Sequence, residues 1–361
     1  MTRPVPRRHA LAVLVVALAA ATGTAATAQS PSAVTPTGER VRLLTHGSFA
    51  LPEDTLAAFT GRTGAVIEVI PAQDAGSAVN QAILTKGDPI ADVLYGVDDT
   101  FLSRALEAGI FEAYQPAAAG DVPDAFQLDP ERRVTPIDYG DVCVNVDSAW
   151  FAERGVAPPT TLEDLTRPEY RDLLVVEDPG VSSPGLAFVL ATIARFGEDG
   201  DHTWLDYWRE LRANGVQVAS SWDDAYYGSF SGGSGEGDRP LVVSYASSPV
   251  AEVYYADPQP SEAPTASFVD GCYRQVEFAG VLAGTPQPEL ARALVDFLLS
   301  PAVQQQVPLS MFVDPVLPSV ELPLVFREHT AAPVDPVTLD PATIAAGRDR
   351  WIEAWTEVVL R

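Results

Sequence analysis

The chain has 361 residues, with 23 Lys+Arg against 49 Asp+Glu and a formal net charge of −26. That acidity argues against nucleic acid or an anionic membrane as partner and weakly favours cations. Beyond any leader, about 330 residues bury enough surface for two domains rather than one core.

Residues 1–28 are expected to lie outside the fold. Arg3, Arg7 and Arg8 precede an apolar run, Ala10 to Ala20, and Ala26-Thr-Ala28 supplies small residues for cleavage. This is the pattern of a secretory signal peptide, too short and wrongly flanked for a membrane span. Arg7-Arg8 resembles the start of a twin-arginine signal, although the residues after it fit that pattern poorly. Removing the segment takes away three arginines and no acid, leaving 20 basic against 49 acidic residues and a charge of −29. No Cys lies near the cleavage point to carry a lipid, and no later stretch is long and apolar enough to cross a bilayer. The expectation is a soluble exported protein of the periplasm or outer cell envelope. Cys143 and Cys272 are the only cysteines, and an even number in an exported chain predicts a disulfide. His46, His202 and His329 are too scattered for a zinc site, so neither metal nor cofactor is expected.

Residues 31–38 form a polar, Pro- and Thr-rich leader. Residues 41–45 then read as a strand, 52–59 as a helix ended by Thr60-Gly61, and 65–70 as a second strand. A helix over 78–85, a strand over 91–95 and a helix over 101–108 follow. Strands alternating with helices predict α/β architecture with a parallel, doubly wound sheet that binds ligands at the carboxyl ends of its strands. Residues 134–146 form a longer β-like run, and Pro158 to Leu165 a turn with a capped helix. Helices are expected at Ser183 and over 204–211, and residues 229–238 read as a flexible Gly/Ser loop. A strand over 272–278, an amphipathic helix over 288–299 and a Trp-bearing helix over 341–361 complete the chain.

Two corners stand out. Leu241-Val-Val-Ser-Tyr245 is an apolar strand that breaks into Ala246-Ser-Ser-Pro249, and 249–255 reads as a helix. Leu173 to Pro179 leads in the same way through Val181-Ser-Ser-Pro184 into a helix. Pro suits the first helical position and a preceding Ser can cap free donors, so each corner offers hydroxyls and backbone N–H groups. Such corners also simply start helices, but the pair with Trp222 between them points to a small polar ligand. No nucleophile elbow, phosphate-binding glycine loop or paired metal motif is present, so no enzyme activity is expected. The acidic pairs Asp98-Asp99 and Asp223-Asp224 sit in an acid-rich chain and carry little weight as a glycosidase signal.

Several stretches resemble bacterial ABC-transporter solute-binding proteins: Phe59 to Val69, Ala91 to Gly96 and Pro288 to Pro301. Others are similar to the thiamine-binding members of that group. They are Asp138-Tyr-Gly140, Asp178-Pro179 with Ser182 to Leu186, Trp222 with Ala225-Tyr226, Leu241 to Pro249, Tyr273 to Glu277, and Ala345 to Trp355. The resemblance spans nearly the whole chain after the leader. It implies a two-lobe periplasmic-binding-protein (type II) fold with a hinge and a cleft. Lobe 1 would hold 39–139 and 275–320, lobe 2 would hold 140–274, and 321–361 would be a C-terminal helical segment belonging to either lobe. It also implies capture of thiamine or its phosphates by a monomer and delivery to the membrane permease of an ABC importer. The ligand contacts would fall on Asp74, Ala75, Ser182, Ser183, Trp222, Tyr245, Ala246, Ser247, Ser248 and Phe312. Trp222 and Phe312 would face the rings, with cation–π contact worth roughly 0.5–2 kcal/mol, and Asp74 would meet the cation or the exocyclic amine. Two positions depart from the pattern: His46 stands where relatives have Tyr, and Val250-Ala251 where they have an aromatic, which Tyr227 or Tyr254 would replace. The alternative is a binding protein for another small organic cation or a phosphonate. A Cys143–Cys272 bridge is expected because both cysteines lie in β-like runs.

Overall fold

A computed structural model of the protein describes residues 38–361, so the expected leader over 1–28 and most of the polar stretch after it lie outside the described residues. The chain opens with β1 (Arg40–Thr45), α1 (Glu53–Thr63), β2 (Val66–Pro71), α2 (Ala75–Leu84), β3 (Val93–Asp98) and α3 (Asp99–Ala108). Helix α1 runs through Thr60-Gly61 and stops at Gly64, whose φ of 81° closes the helix in the left-handed conformation. Gly61 interrupts nothing because a glycine inside a helix costs only about 1 kcal/mol, and the buried Phe59 anchors that turn. Helix α2 starts three residues earlier than its apolar spacing predicts, capped by Asp74, whose carboxylate accepts the Ala75 N–H at 2.7 Å.

The second stretch supplies β4 (Thr135–Asp147), α4 (Ser148–Arg154), β5 (Leu174–Glu177), α5 (Ser183–Phe196), α6 (Trp204–Ala213), β6 (Gln217–Ala219), β7 (Leu241–Tyr245) and α7 (Ser248–Tyr254). Then come β8 (Thr265–Val281), α8 (Pro288–Leu298), α9 (Pro301–Gln304), α10 (Val307–Ser310), β9 (Asp314–Pro315), α11 (Leu324–His329) and α12 (Pro341–Val359). The helix expected after Pro158 is only two short 3₁₀ turns, 163–166 and 168–170. Asp164 folds back to accept the N–H groups of Thr160 and Thr161, which satisfies that backbone locally. The 229–238 loop is packed rather than loose. A Cβ on Gly235 would lie 2.1 Å from the Phe230 carbonyl oxygen and one on Gly237 2.0 Å from that of Ser229. Its glycines permit close backbone approach, which composition alone cannot distinguish from flexibility.

Among the described residues the strands form one curled sheet in the order β2-β1-β3-β8-β4-β7-β5-β6, with β9 added on β4. The sheet is mixed, not the parallel one predicted. β2, β1 and β3 are parallel at one end and β7, β5 and β6 at the other, while β3–β8, β8–β4 and β4–β7 are antiparallel. The cause is the pair β8 and β4, which run antiparallel to each other and to their outer neighbours between the two parallel groups; β8, with 17 residues, extends well beyond the predicted 272–278. An apolar run identifies a strand but carries no signal for its direction. Cys143 on β4 and Cys272 on β8 lie on neighbouring strands and are joined by a disulfide, with Cα atoms 4.5 Å apart.

Helices cover both faces. Helix α5 buries nearly its whole length, Ser183 through Ile193, whereas α8 buries one stripe of Ala291, Leu294, Val295, Phe297 and Leu298. Helix α12 touches helices from both ends of the molecule. Its Trp355 meets Trp208 of α6 edge-on at 5.5 Å, and its buried Arg348 lies 4.6 Å from the Phe101 ring of α3.

Candidate functional site

Five strands deliver site residues from their carboxyl ends. β1 ends at Thr45 and leads to His46; β2 leads to Asp74 and Ala75; β5 leads to Ser182 and Ser183; β6 leads to Trp222; β7 ends at Tyr245. This is the general position of ligands in α/β sheets. The groups surround a cavity of about 660 Å³. Of the residues expected to contact ligand, Asp74, Ala75, Ser183, Trp222, Tyr245, Ser248 and Phe312 line it.

Ser182, Ala246 and Ser247 are not among the lining residues. Ser182 is fully buried behind the wall, where its hydroxyl lies beside the Asp74 carboxylate. Ala246 packs against the Cys143–Cys272 bridge, with its N–H given to the Asp141 carbonyl. The Ser247 hydroxyl donates to the Phe312 carbonyl at 2.5 Å. A tight corner sends successive side chains in different directions, so a four-residue stretch cannot present all of them to one cavity. Nor do the serines cap the helices as their spacing suggests: Ser182 and Ser247 make no side-chain cap bond.

Trp222 is the centre of an aromatic wall. Its ring stacks on Tyr226 at 5.1 Å and 17°, with Tyr227 edge-on at 5.5 Å. The indole Nε1 donates to Ser244 Oγ at 2.9 Å, and its backbone N–H reaches Asp74 Oδ2 at 3.3 Å. Phe312 holds a left-handed φ of 54° and faces Tyr255, their rings 5.6 Å apart. At the departures from the family pattern, His46 and Ala251 do line the cavity; Tyr227 and Tyr255 add rings there, whereas Tyr254 packs on Phe312 from outside the lining.

Among the described residues four carboxylates line the cavity, Asp74, Asp147, Glu252 and Glu277, and no Lys or Arg does. Glu252 Oε1 accepts from Tyr226 and Ser234, both at 2.9 Å, and Asp147 Oδ2 accepts from Ser231 at 2.7 Å. Burial raises the Asp74 carboxyl, although the Ala75 N–H, His46 and the Trp222 N–H pull the other way. Burial also opposes charge on His46. Glu277 at 3.5 Å, with Asp74 and Asp138, outweighs that effect and pushes the imidazole up to about 9. His46 is therefore an imidazolium at neutral pH. Tyr95, Asp147, Glu252 and Glu277 are lining groups that sequence reasoning did not single out as contacts. Glu277 closes the stretch Tyr273–Glu277, already noted for its resemblance, but single acids elsewhere carry no signal in so acidic a chain.

A mixed two-lobe fold with a polar, ring-lined cavity at the strand ends defines a solute-binding protein. A family model described as bacterial extracellular solute-binding protein matches residues 88–342, and the chain belongs to that family. It is 30% identical over 305 residues to the thiamine-binding periplasmic protein of Escherichia coli (strain K12), covering 84% of this chain and 87% of that one. A similar match, 27% over 301 residues, joins it to the thiamine-binding periplasmic protein of Haemophilus influenzae, covering 82% and 83%. Among solved structures, a periplasmic thiamin binding protein superposes with a TM-score of 0.79 at 27% identity over 91% of this chain and 100% of that one. Iron-bound HitA from Pseudomonas aeruginosa shares the fold, with a TM-score of 0.68 at 18% identity over 89% and 99%. Among the described residues no helix is long and apolar enough to cross a membrane.

Proposed function

We propose that the protein is exported, captures thiamine in this cavity and delivers it as a monomer to the permease of an ABC importer. The observation that carries the reading is the cavity's charge and surface: four carboxylates and a wall of Trp222, Tyr226, Tyr227 and Phe312, with no Lys or Arg among the described residues. A thiazolium ring is a flat, permanent cation. Ring faces attract it by roughly 0.5–2 kcal/mol, and carboxylates in a low-dielectric site add charge-assisted bonds. The long-range field of a −26 chain also favours the approach of cations.

In this reading 39–139 with 275–320 form one lobe and 140–274 the other, and closure bends β4 and β8 where they cross between them. Contacts already link the two sides: Gly76 N–H donates to the Val181 carbonyl at 3.0 Å, Trp222 N–H to Asp74, and Ser247 to Phe312. A phosphate on the hydroxyethyl arm would meet four carboxylates, with His46 as the one cationic group among the lining residues. Thiamine is therefore expected to bind more tightly than its phosphates. A second reading, another small organic cation, is favoured by His46 and Ala251 standing where aromatic groups are expected. A phosphonate is disfavoured by the same carboxylates.

Mass spectrometry of ligand carried through purification, followed by calorimetric titration with thiamine, its phosphates and a polyamine, tests the reading. Tight binding of the polyamine with none of thiamine would overturn it. Chromatography of the ligand after long incubation should return it unchanged, as expected for capture without catalysis.

A further inference from the structure

Beneath the cavity, three carboxylates lie side by side on adjacent strands. Asp98 of β3 is directly opposite Glu277 of β8, and Glu277 is directly opposite Asp138 of β4. Directly opposed residues share a face, so these side chains form a row across the sheet. Asp98 and Asp138 are fully buried and Glu277 is 9% exposed, reaching the cavity floor. The Tyr95 hydroxyl donates to Asp138 Oδ2, while Asp138 Oδ1 is buried without a partner. Gln275 Nε2 donates to Glu277 Oε1 at 3.1 Å, and Thr100 Oγ1 donates to Asp98 at 2.9 Å.

Charge is unbalanced at this row. His46 faces Glu277 from the exit of β1, and Asp74 faces His46 from the start of α2. From β7, Tyr245 donates to Gln275 at 3.2 Å, and at the start of α3 Asp99 is engaged by the Tyr273 hydroxyl and Val276 N–H. Arg348 of α12 senses Asp98 from behind but pairs with Asp349 at 2.8 Å. One imidazolium thus stands against Asp98, Glu277, Asp138 and Asp74. Neighbouring buried carboxylates cannot all ionise, and one keeps a proton. Burial and neighbouring charge, Asp99 and Glu277 for Asp98 and Glu277 for Asp138, hold both carboxyls well above the usual carboxylate range. Thr100 reaches both oxygens of Asp98, whereas Asp138 Oδ1 has no partner, so the geometry favours Asp138 as the proton's seat.

We propose that the row Asp98–Glu277–Asp138 is a proton-binding site coupled to the cavity, and that a cationic ligand displaces the proton on Asp138. Capture is then the exchange of one cation for one proton. This inference rests on the reading that the ligand is a cation. A fixed positive charge above Glu277 replaces the proton's role in neutralising the row, so proton and ligand each weaken binding of the other by the same factor. Affinity must therefore rise with pH, by about tenfold per unit where one full proton is displaced.

Calorimetry of the full chain with thiamine at neutral pH, in buffers of differing ionisation enthalpy, counts released protons after the free ligand's own titration is subtracted. The wild type should release about one proton. Asp138→Asn, which mimics the protonated acid, should release almost none and lose the pH dependence of Kd, whereas His46→Gln should keep the release. The wild-type Kd measured from pH 6 to 8 gives the same proton count with no variant, and the two variants locate the proton. Thiamine binding whose heat and Kd ignore buffer and pH overturns this inference alone. Proton release lost in His46→Gln but kept in Asp138→Asn overturns it too, by placing the proton on the imidazole. No thiamine binding at all overturns the ligand reading, and this inference with it.

Discussion

Gly76 is the position where a single methyl group should uncouple ligand capture from folding. It is the second residue of α2, and its N–H donates to the Val181 carbonyl at 3.0 Å, from one proposed lobe to the other. A Cβ placed there would lie 2.6 Å from that carbonyl oxygen and 2.8 Å from the Phe101 ring. The fully buried ring yields only by local repacking, and the carbonyl belongs to backbone and can retreat only if the two sides separate. Losing the bond costs about 0.5–1.5 kcal/mol, and forcing the methyl into a packed contact costs about 1–3 kcal/mol. Only the closed state bears the Val181 part. Gly76→Ala should thus weaken thiamine binding by about 1–3 kcal/mol, on the order of 5- to 150-fold. Alanine suits a helix better than glycine does, so the ligand-free melting temperature should fall little. Calorimetric titration beside a thermal melt reads both quantities. Unchanged affinity in the variant would show that closure does not press Gly76 on Val181. A large fall in melting temperature with unchanged affinity would mean that the clash with Phe101 dominates.

Further outcomes are expected at four sites. Trp222→Ala should weaken thiamine binding by roughly 2–4 kcal/mol, while Trp222→Phe, which loses the bond to Ser244 and part of the ring face but keeps an aromatic ring, should cost less; Asp74→Asn should cost roughly 1–3 kcal/mol for thiamine and much less for a neutral analogue, read as a coupling energy by calorimetry. Replacing Cys143 and Cys272 together by Ser opens a 129-residue loop, for which chain entropy gives about 4–5 kcal/mol as an upper figure; free-thiol titration of the unreduced, denatured wild type should find none. Asp92 is fully buried and accepts from the Arg42 backbone at 2.7 Å, its guanidinium at 3.0 Å and Thr285 at 2.6 Å. Burial opposes its charge, but Arg42 and Thr285 outweigh that and hold its carboxyl below the usual value, so its contribution is complete above the unfolded carboxylate pKa near 4 and fades as pH falls through the lower folded value. Asp92→Asn should lower the neutral-pH melting temperature and flatten its acid-side decline.

Local order was legible in the chain because it depends on neighbours in sequence. The apolar runs of β1, β4 and β7 and the stripe of α8 carry their own periodicity, and Asp74, Trp222 and Tyr245 sit at the loop starts where α/β sheets bind ligands. Tertiary structure alone decided what lies beside what. The directions of β4 and β8 turned a predicted parallel sheet into a mixed one, because hydrophobic patterning is the same for a strand run either way. The turn after β7 settled that Tyr245 and Ser248 reach the cavity while Ala246 and Ser247 do not. Asp98, Asp138 and Glu277 are far apart in the chain and look like any acids in an acidic protein. Their meaning arises only when strand register sets them opposite one another in a largely buried place, where the cost of unshared charge becomes large.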